Sequence, residues 1–426
     1  MKIKLGSSDH IVILLIFYWA VVSFFELITY SNARYLRLSF LFVIFIEYFA
    51  YFVKNRIDKQ RLTRIWLLSI PVVIYSVFFN FDITNAEYLI TYIFAVLLLA
   101  LKLKTPEKTI NKCCNIVLVA GVIQAAGVIG ELLFQNLFNT YIYTRYPAEM
   151  YARLSNHIYY TGFQREVAVV SAYIIAGLGV SLFICQKNYK SKLISIFLLI
   201  ALVVTNKRAY IIFPVMAIVI ELLWMNYSAG KIWAKRTTFP KYIIMISMSV
   251  LLIFVFWNSI YNIPIVQRIG QTITAFVSGE DATTGRGVLW LASWQLFLQK
   301  PILGIGWRNT ERYIRLIVYS SVELSTHNVY LQLLTETGIV GGIIFLIAFV
   351  YSVYIISRVY KNIKQKKLMK NRNVCYYRFS TYYQIFFLLY CITGVNMQDK
   401  TYMIIYFFSI FIFKYRTLIE SHNQID

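Results

Sequence analysis

Apolar runs close to the length of a bilayer-crossing helix recur from one end of the chain to the other, separated mostly by short polar turns. About 20 consecutive apolar residues suffice to cross the hydrocarbon core. Twelve stretches qualify, at 11–30, 36–53, 65–81, 86–101, 113–134, 167–185, 193–204, 209–225, 242–260, 329–357, 379–395 and 401–413. The seventh is short and is expected to extend past its polar flanks. Barrel strands would instead alternate apolar and polar positions over about ten residues. The pattern therefore predicts an all-α, polytopic membrane protein with about 12 transmembrane helices, forming a single integral membrane domain over 1–426. Two intervals are too long for tight turns. One is the outer loop 135–166; the other, 261–328, reads as a large extracytoplasmic loop carrying short interfacial helices. Long irregular segments in a compact architecture usually carry function.

Composition agrees with this reading, at 59% hydrophobic, 17% aromatic and 14% charged residues, but the charge is strongly unbalanced at net +23. In a soluble chain such an excess would suggest nucleic acid. Here basic residues collect between spans, as they do in loops that stay cytoplasmic, and nucleic acid is not an expected partner. With Lys2 and Lys4 placed in the cytoplasm, the inner segments hold 28 of the 42 basic residues. The richest is RVYKNIKQKKLMKNR, in the basic cytoplasmic loop 358–378, and both termini are predicted to be cytoplasmic. The outer segments keep Arg34, Arg37, Arg145, Arg153, Arg165, Lys207, Arg208, Lys400 and the basic residues of 261–328. The first run follows a short basic start without an A-x-A pattern and is read as a retained helix. Cys113, Cys114, Cys185, Cys375 and Cys391 lie in or beside apolar runs with no C-x-x-C spacing, which points to neither a zinc site nor a disulfide framework. No internal repeat is evident, which weighs against transporters built from inverted repeats.

Candidate chemistry lies where outward-facing segments break the charge rule. The tight turn TNKRAY, 205–210, puts Lys207 and Arg208 outside. Snorkelling at an interface explains them equally well; the functional alternative is an anion site, for which the planar guanidinium is suited. Thr283-Thr284-Gly285-Arg286-Gly287 precedes VLWLASWQLFLQ, 288–299, an apolar segment too short to span and better suited to the interface. Capping by the threonines would place Arg286 at a helix N-terminus, where backbone N–H groups favour an anion; a plain turn with a solvated Arg is the alternative. Pro301 and Gly304-x-Gly306 stop that helix in a turn. Ser325 or Thr326 is expected to cap the next span, which opens at His327-Asn328. A histidine in the first turn feels the positive end of the helix dipole, stays neutral and is able to accept a proton; hydrogen bonding in the interface is the bland reading. Glu336 lies about 13 Å further along a regular helix. Like Glu26, Glu47, Glu131 and Glu221, it needs a partner or a watery cavity at that depth. Arg165-Glu166, where the chain returns to the membrane, is either a self-neutralising pair or brings Arg165 into the same anion site.

These segments resemble a known family. TNKRAY after a span, TGRGVLWLASWQLFLQKPILGIGWRN in an outer loop, and HNVYLQLLTETGIVGGIIF entering a late span look like the O-antigen ligase and polymerase superfamily, over about 200–345. TGFQREVAV is more loosely similar to that family's glycine-containing segment before a middle span. Members transfer glycans from undecaprenyl diphosphate on the outer face of the bacterial inner membrane, without a metal. The resemblance implies that Arg208 and Arg286 hold the pyrophosphate and that His327 is the catalytic histidine. Lys207, Arg165 and Asn328 are assigned to binding pyrophosphate or glycan, and no metal or cofactor is expected. Lys207 departs from the serine often found before that arginine. The expected partners are an undecaprenyl-diphosphate-linked oligosaccharide, the bilayer, and a chain-length regulator and flippase of the same pathway.

The implied activity is a polymerase that joins lipid-borne repeat units into a capsular, O-antigen or exopolysaccharide chain. It would sit in the bacterial cytoplasmic membrane, multi-pass, with its active face extracytoplasmic. Glu280-Asp281 is the adjacent acidic pair outside, as expected of a solvated turn, and the first outer turn, SNARYLR, has no acid. The acid-free first turn weighs against glycosyl transferases that place a catalytic carboxylate there. Two alternatives stay open. A ligase would move the finished glycan to another acceptor. A flippase for the same lipid-linked sugar would need central cations and two related halves.

Overall fold

A computed structural model describes residues 6–22, 24, 32–55, 60–78, 83–185, 189–228, 274, 285–319, 324–365 and 373–415. Among them all regular structure is helical, with no strands, and the chain is a polytopic membrane protein. The helices are α1 Ser8–Val21, α2 Ala33–Lys54, α3 Arg61–Leu67, α4 Ser69–Phe78, α5 Ile83–Leu97, α6 Pro106–Leu133, α7 Ala148–Ser155, α8 Val167–Phe183, α9 Tyr189–Val204, α10 Ala209–Ser228, α11 Arg286–Gln299, α12 Asn309–Ile317, α13 Val329–Gln365, α14 Val374–Tyr390 and α15 Lys400–Lys414. Every expected span except 242–260 overlaps a helix in its described residues, that of 379–395 ending at Tyr390; 242–260 lies outside the described residues, as do 25–30 with Glu26, 79–81, Thr283, Thr284, Glu280 and Asp281. α2, α3–α4, α6 and α13 are long and apolar enough to cross a membrane, and Ser8–Val21, Asn85–Ala100, Val167–Phe183 and Ala209–Met225 are shorter apolar helices.

Two kinds of contact hold the bundle. α6 and α8 meet at small residues: a Cβ on Gly121 would stand 2.9 Å from the Gly177 Cα, so only glycine allows that approach. The rest of the core is aromatic. Several buried Tyr and Trp side chains bond backbone carbonyls, since an unpaired polar group in an apolar interior is costly. Tyr173 donates to the Trp19 carbonyl (2.6 Å), Trp19 Nε1 to the Thr401 carbonyl (2.7 Å) and Tyr402 to the Ala168 carbonyl (2.7 Å).

Helix ends sort into two groups. At one end, Lys414 Nζ donates to the Leu99 carbonyl at 2.9 Å, and Asp9 accepts from the Thr109 hydroxyl at 2.6 Å. Towards the same end, Arg378 clasps Glu221 with two bonds of 2.8 and 3.0 Å, which supplies the partner that this buried carboxylate requires. The opposite, loop end gathers the segment 135–166, the turn 205–208, α11, α12 and the start of α13. There Glu131 accepts from the backbone N–H groups of Thr161 and Gly162, each at 2.7 Å, and lies 2.9 Å from His157 Nδ1. That carboxylate staples the 135–166 segment onto α6.

α13 is broken rather than smoothly helical. Gly338 has φ 67° and ψ −169°, inside a helix that continues on both sides. The PILGIG segment, 301–306, lies in the break. Ile305 N–H and Gly306 N–H donate to the Thr335 and Glu336 carbonyls, each at 3.0 Å, and Ile339 N–H donates to the Pro301 carbonyl at 2.8 Å. The approach is backbone on backbone: a Cβ on Gly304 would be 2.4 Å from the Glu336 carbonyl, and one on Gly338 would be 2.2 Å from the Ile302 oxygen. Glu336 itself is fully buried and accepts from the side-chain amides of Gln332 (3.1 Å) and Gln398 (2.5 Å), which answers the need for a partner at that depth.

Candidate active site

His327 is fixed from both sides. Before it, the fully buried Thr326 is clamped by α11: its hydroxyl lies 2.9 Å from Ser293 Oγ and its carbonyl accepts from Trp290 Nε1 at 3.1 Å. After it, the Asn328 side-chain oxygen accepts from the Leu331 N–H at 3.1 Å and so caps α13, while Val329 N–H donates to the Cys391 carbonyl at 2.8 Å. The cap expected from Ser325 or Thr326 is thus made by Asn328; Thr326 is turned into the α11 contact instead. Between these anchors His327 takes a left-handed backbone, φ 50°, which non-glycine residues adopt rarely and which persists only where neighbours enforce it.

The cations come from two other elements. Gly285, at φ 84°, turns the chain into α11 and makes Arg286 the first helical residue, as the sequence suggests. α11 then lies with Ala292, Ser293, Leu296 and Phe297 buried against the protein and Val288, Leu291, Trp294 and Leu298 exposed, the two-faced character of an interfacial helix. Lys207 follows Asn206, which is also left-handed (φ 57°) and whose side-chain amide donates to the Ile158 carbonyl at 2.9 Å. That bond ties the 205–208 turn to the 135–166 segment. The Lys207 ammonium lies 5.3 Å from the centre of the Tyr210 ring, and the Tyr210 hydroxyl is 2.6 Å from that of Tyr390. Arg208 stands in the same turn, half-buried, its carbonyl accepting from the Ile211 and Ile212 N–H groups of α10.

Lys207, Arg286 and His327 act on one another electrostatically. Burial, then the positive charges of Arg286 and Lys207, hold the His327 imidazole down at about 4. Burial and Arg286 together bring Lys207 down to about 8, against a smaller opposing pull from Glu166. The free site thus combines a neutral imidazole with crowded cations, a setting that a dianionic ligand would relieve.

Arg165 joins this group through a cavity of about 240 Å³ that it lines with Arg153, Tyr159, Thr161, Glu166 and Lys207. Its guanidinium is 3.9 Å from Glu166, and with side-chain exposures of 35% and 48% that pair is worth little. On the other side of Arg165 and Glu166 lies a second cavity of about 380 Å³, walled by Arg34, Arg37, Glu87, Arg308, Asp399 and Lys400 among others. Sequence reading counts Arg34, Arg37 and Lys400 only as outward basic residues; their assembly into one pocket with Glu87 and Asp399 is visible only in the fold. Among the described residues no three His, Cys, Asp or Glu side chains converge as a metal site would require.

Residues 193–346 match a family model described as O-antigen ligase. The matched segment contains Lys207, Arg208, Arg286, His327 and Asn328, whereas Arg165 precedes it. The match supports assignment to the O-antigen ligase and polymerase superfamily and indicates ligase- or polymerase-type activity. A search of curated proteins finds no match.

Proposed function

From that family assignment as premise, we propose that the chain is a polysaccharide polymerase: it transfers undecaprenyl-diphosphate-linked oligosaccharide repeat units onto a growing capsular, O-antigen or exopolysaccharide chain. The observation that carries this reading is the meeting of Lys207, Arg286 and a neutral His327 at one end of the bundle. The donor sugar is already activated by its diphosphate. An acceptor hydroxyl oxygen attacks the anomeric carbon, the bond from that carbon to the phosphate oxygen breaks, and the diphosphate leaves with the electron pair. Arg286, Arg208 and Lys207 stabilise the leaving anion, as donors preorganised for developing charge do. His327 takes the hydroxyl proton. Metal assistance is not part of this scheme, since the cations named take that role.

The low basicity of His327 in the free protein has a function in this scheme. With no anion present, burial first and then the charges of Arg286 and Lys207 hold the imidazole a weak base. Binding of the diphosphate offsets both charges and raises imidazole basicity when the donor is in place. By the Lys/Arg distribution the loop end faces outward, with both termini in the cytoplasm of a bacterial cell and the site on the extracytoplasmic face of the inner membrane.

The test is chain growth by purified protein supplied with lipid-linked repeat unit in the absence of any membrane gradient. Growth that is lost in Arg208→Ala, Arg286→Ala and His327→Ala, each expressed normally, supports the enzyme. Unchanged polymer length and amount in all three would sink it. Transport in liposomes without chain growth would point to a flippase. The description of the matching family keeps a ligase in view, and a deletion strain separates the two: single repeat units remain if a polymerase is missing, long unattached polymer if a ligase is.

A further inference from the structure

We propose that the second cavity, of about 380 Å³, is the subsite for the acceptor: it holds the hydroxyl-rich end of a glycan and presents it to His327. This inference rests on the transferase reading above. The volume falls within the roughly 300–1,000 Å³ of small-molecule sites.

The wall chemistry selects the ligand. Five cationic side chains, Arg34, Arg37, Arg165, Arg308 and Lys400, share the cavity with four carboxyl groups, those of Glu87, Glu166, Glu311 and Asp399. A bare diphosphate, which has acceptors only, would leave those carboxyl groups unmatched, and a polyprenyl tail would strand all the charges in an apolar contact. Sugar hydroxyls donate and accept at once, and they suit a wall that offers both. The wall is also fixed in advance. Glu87 Oε1 accepts from Arg37 Nε at 2.7 Å and Lys400 Nζ at 2.6 Å, joining α2, α5 and α15, and Asp399 accepts from the Thr401 N–H at 2.8 Å to cap α15.

Arg308 is the group in this wall with unused bonding capacity. Its Nε is buried and has no hydrogen-bond partner. Its backbone is left-handed, φ 59°, and the turn is held in place by the adjacent Trp307 N–H donating to the Ser76 carbonyl at 2.9 Å. The guanidinium rests over the Tyr88 ring at 4.5 Å, its Nη1 only grazes Asn85 Oδ1 at 3.5 Å, and its Nη2 stands 4.0 Å from Glu311 Oε2, so Nε is the atom left without a partner. Backbone strain together with a buried, unsatisfied donor marks a place where a ligand completes the bonding.

Position decides which glycan. Arg165 and Glu166 line both this cavity and the one that contains Lys207, so the two abut at that pair. The anion-stabilising cations stand on the Lys207 side. A donor held there by its diphosphate leaves the far cavity for the molecule that brings the attacking hydroxyl.

The probe is the soluble repeat-unit oligosaccharide, released by mild acid from the lipid that a deletion strain accumulates. Its binding to the full protein in lipid nanodiscs is followed by calorimetry, and chain growth is followed separately with varied donor and acceptor. Arg308→Asn removes the guanidinium while keeping a residue that tolerates a left-handed backbone; Arg34→Gln tests the same wall without touching a strained position. Both variants are expected to weaken oligosaccharide binding and raise the acceptor KM by about tenfold, the effect of losing one charge-assisted bond, with the donor KM unchanged. Wild-type affinity in both variants, or a rise in donor KM alone, overturns the subsite. Oligosaccharide binding that the variants weaken, with no chain growth by the wild type, would instead remove the transferase and leave the pocket standing.

Discussion

Replacing Gly338 by alanine should dislodge the 301–306 segment from the break in α13. The glycine sits at φ 67° and ψ −169°, a region open essentially to glycine alone, and strain of this kind is worth about 1–3 kcal/mol. The new methyl would stand 2.2 Å from the Ile302 oxygen, 2.4 Å from its carbonyl carbon and 2.6 Å from the Leu303 nitrogen, all backbone, so no side chain is able to swing clear. Restoring ordinary contact requires the segment to retreat by about 1 Å or more, which breaks the bonds from Ile339 N–H to the Pro301 carbonyl (2.8 Å) and from Val340 N–H to the Ile302 carbonyl (3.3 Å). Each buried group left unpaired adds about 1–3 kcal/mol. The total, about 3–9 kcal/mol, is at the severe end for one substitution. Gly304→Ala strikes the same gap from the other side, so the double variant should cost far less than the two singles added together. The measurements are the apparent unfolding midpoint in nanodiscs and hydrogen exchange over 301–306 and 335–340. A Gly338→Ala protein with the wild-type midpoint and undiminished protection in those two segments would refute the interlock.

The remaining predictions concern charge and chemistry. In kcat/KM, which reports the free protein, activity should fall as pH drops towards about 4, where His327 takes up a proton, and again above about 8, where Lys207 loses its charge. Arg286→Gln should move the acid limb upward, because one of the charges that disfavour the imidazolium is gone; an unmoved limb would show that the two residues are not coupled. His327→Asn keeps a residue at ease in the left-handed backbone and should lower chain growth by about 10²–10⁴-fold with an unchanged unfolding midpoint, as expected when only general-base catalysis is removed. Glu221→Ala leaves Arg378 without the carboxylate that it clasps and should destabilise the protein by about 3–5 kcal/mol, read as a lowered midpoint, while the acceptor KM stays the same.

The apolar runs were legible because each helix declares itself locally, through its own length and composition. Arg286 at a helix start and His327 before a span could be read for the same reason, since short stretches of sequence place them. The interlock at Gly338 was not legible. Its bonds are backbone to backbone, so the only trace in sequence is Gly304, Gly306 and Gly338, which read equally well as a turn and as a helix-packing surface. The acceptor cavity left even less: Arg37, Glu87, Arg308 and Lys400 come from four separate segments, and no local pattern joins them. The capping of α13 went to Asn328 because Thr326 is occupied by Ser293 and Trp290, a tertiary contact that outranks local preference.

The break in α13 also orders events during synthesis. The PILGIG segment leaves the ribosome before the helix that receives it, yet its N–H groups supply the partners of the Thr335 and Glu336 carbonyls. Until they arrive, those carbonyls have no place in hydrocarbon, where every backbone group must be paired. The apolar helix after Gly338 is long enough to insert unaided. The half that begins just after His327 has to wait at the surface for the preceding loop to fold back. The reactive end of the molecule would then be the last part to assemble, closing only over a bundle already seated in the bilayer.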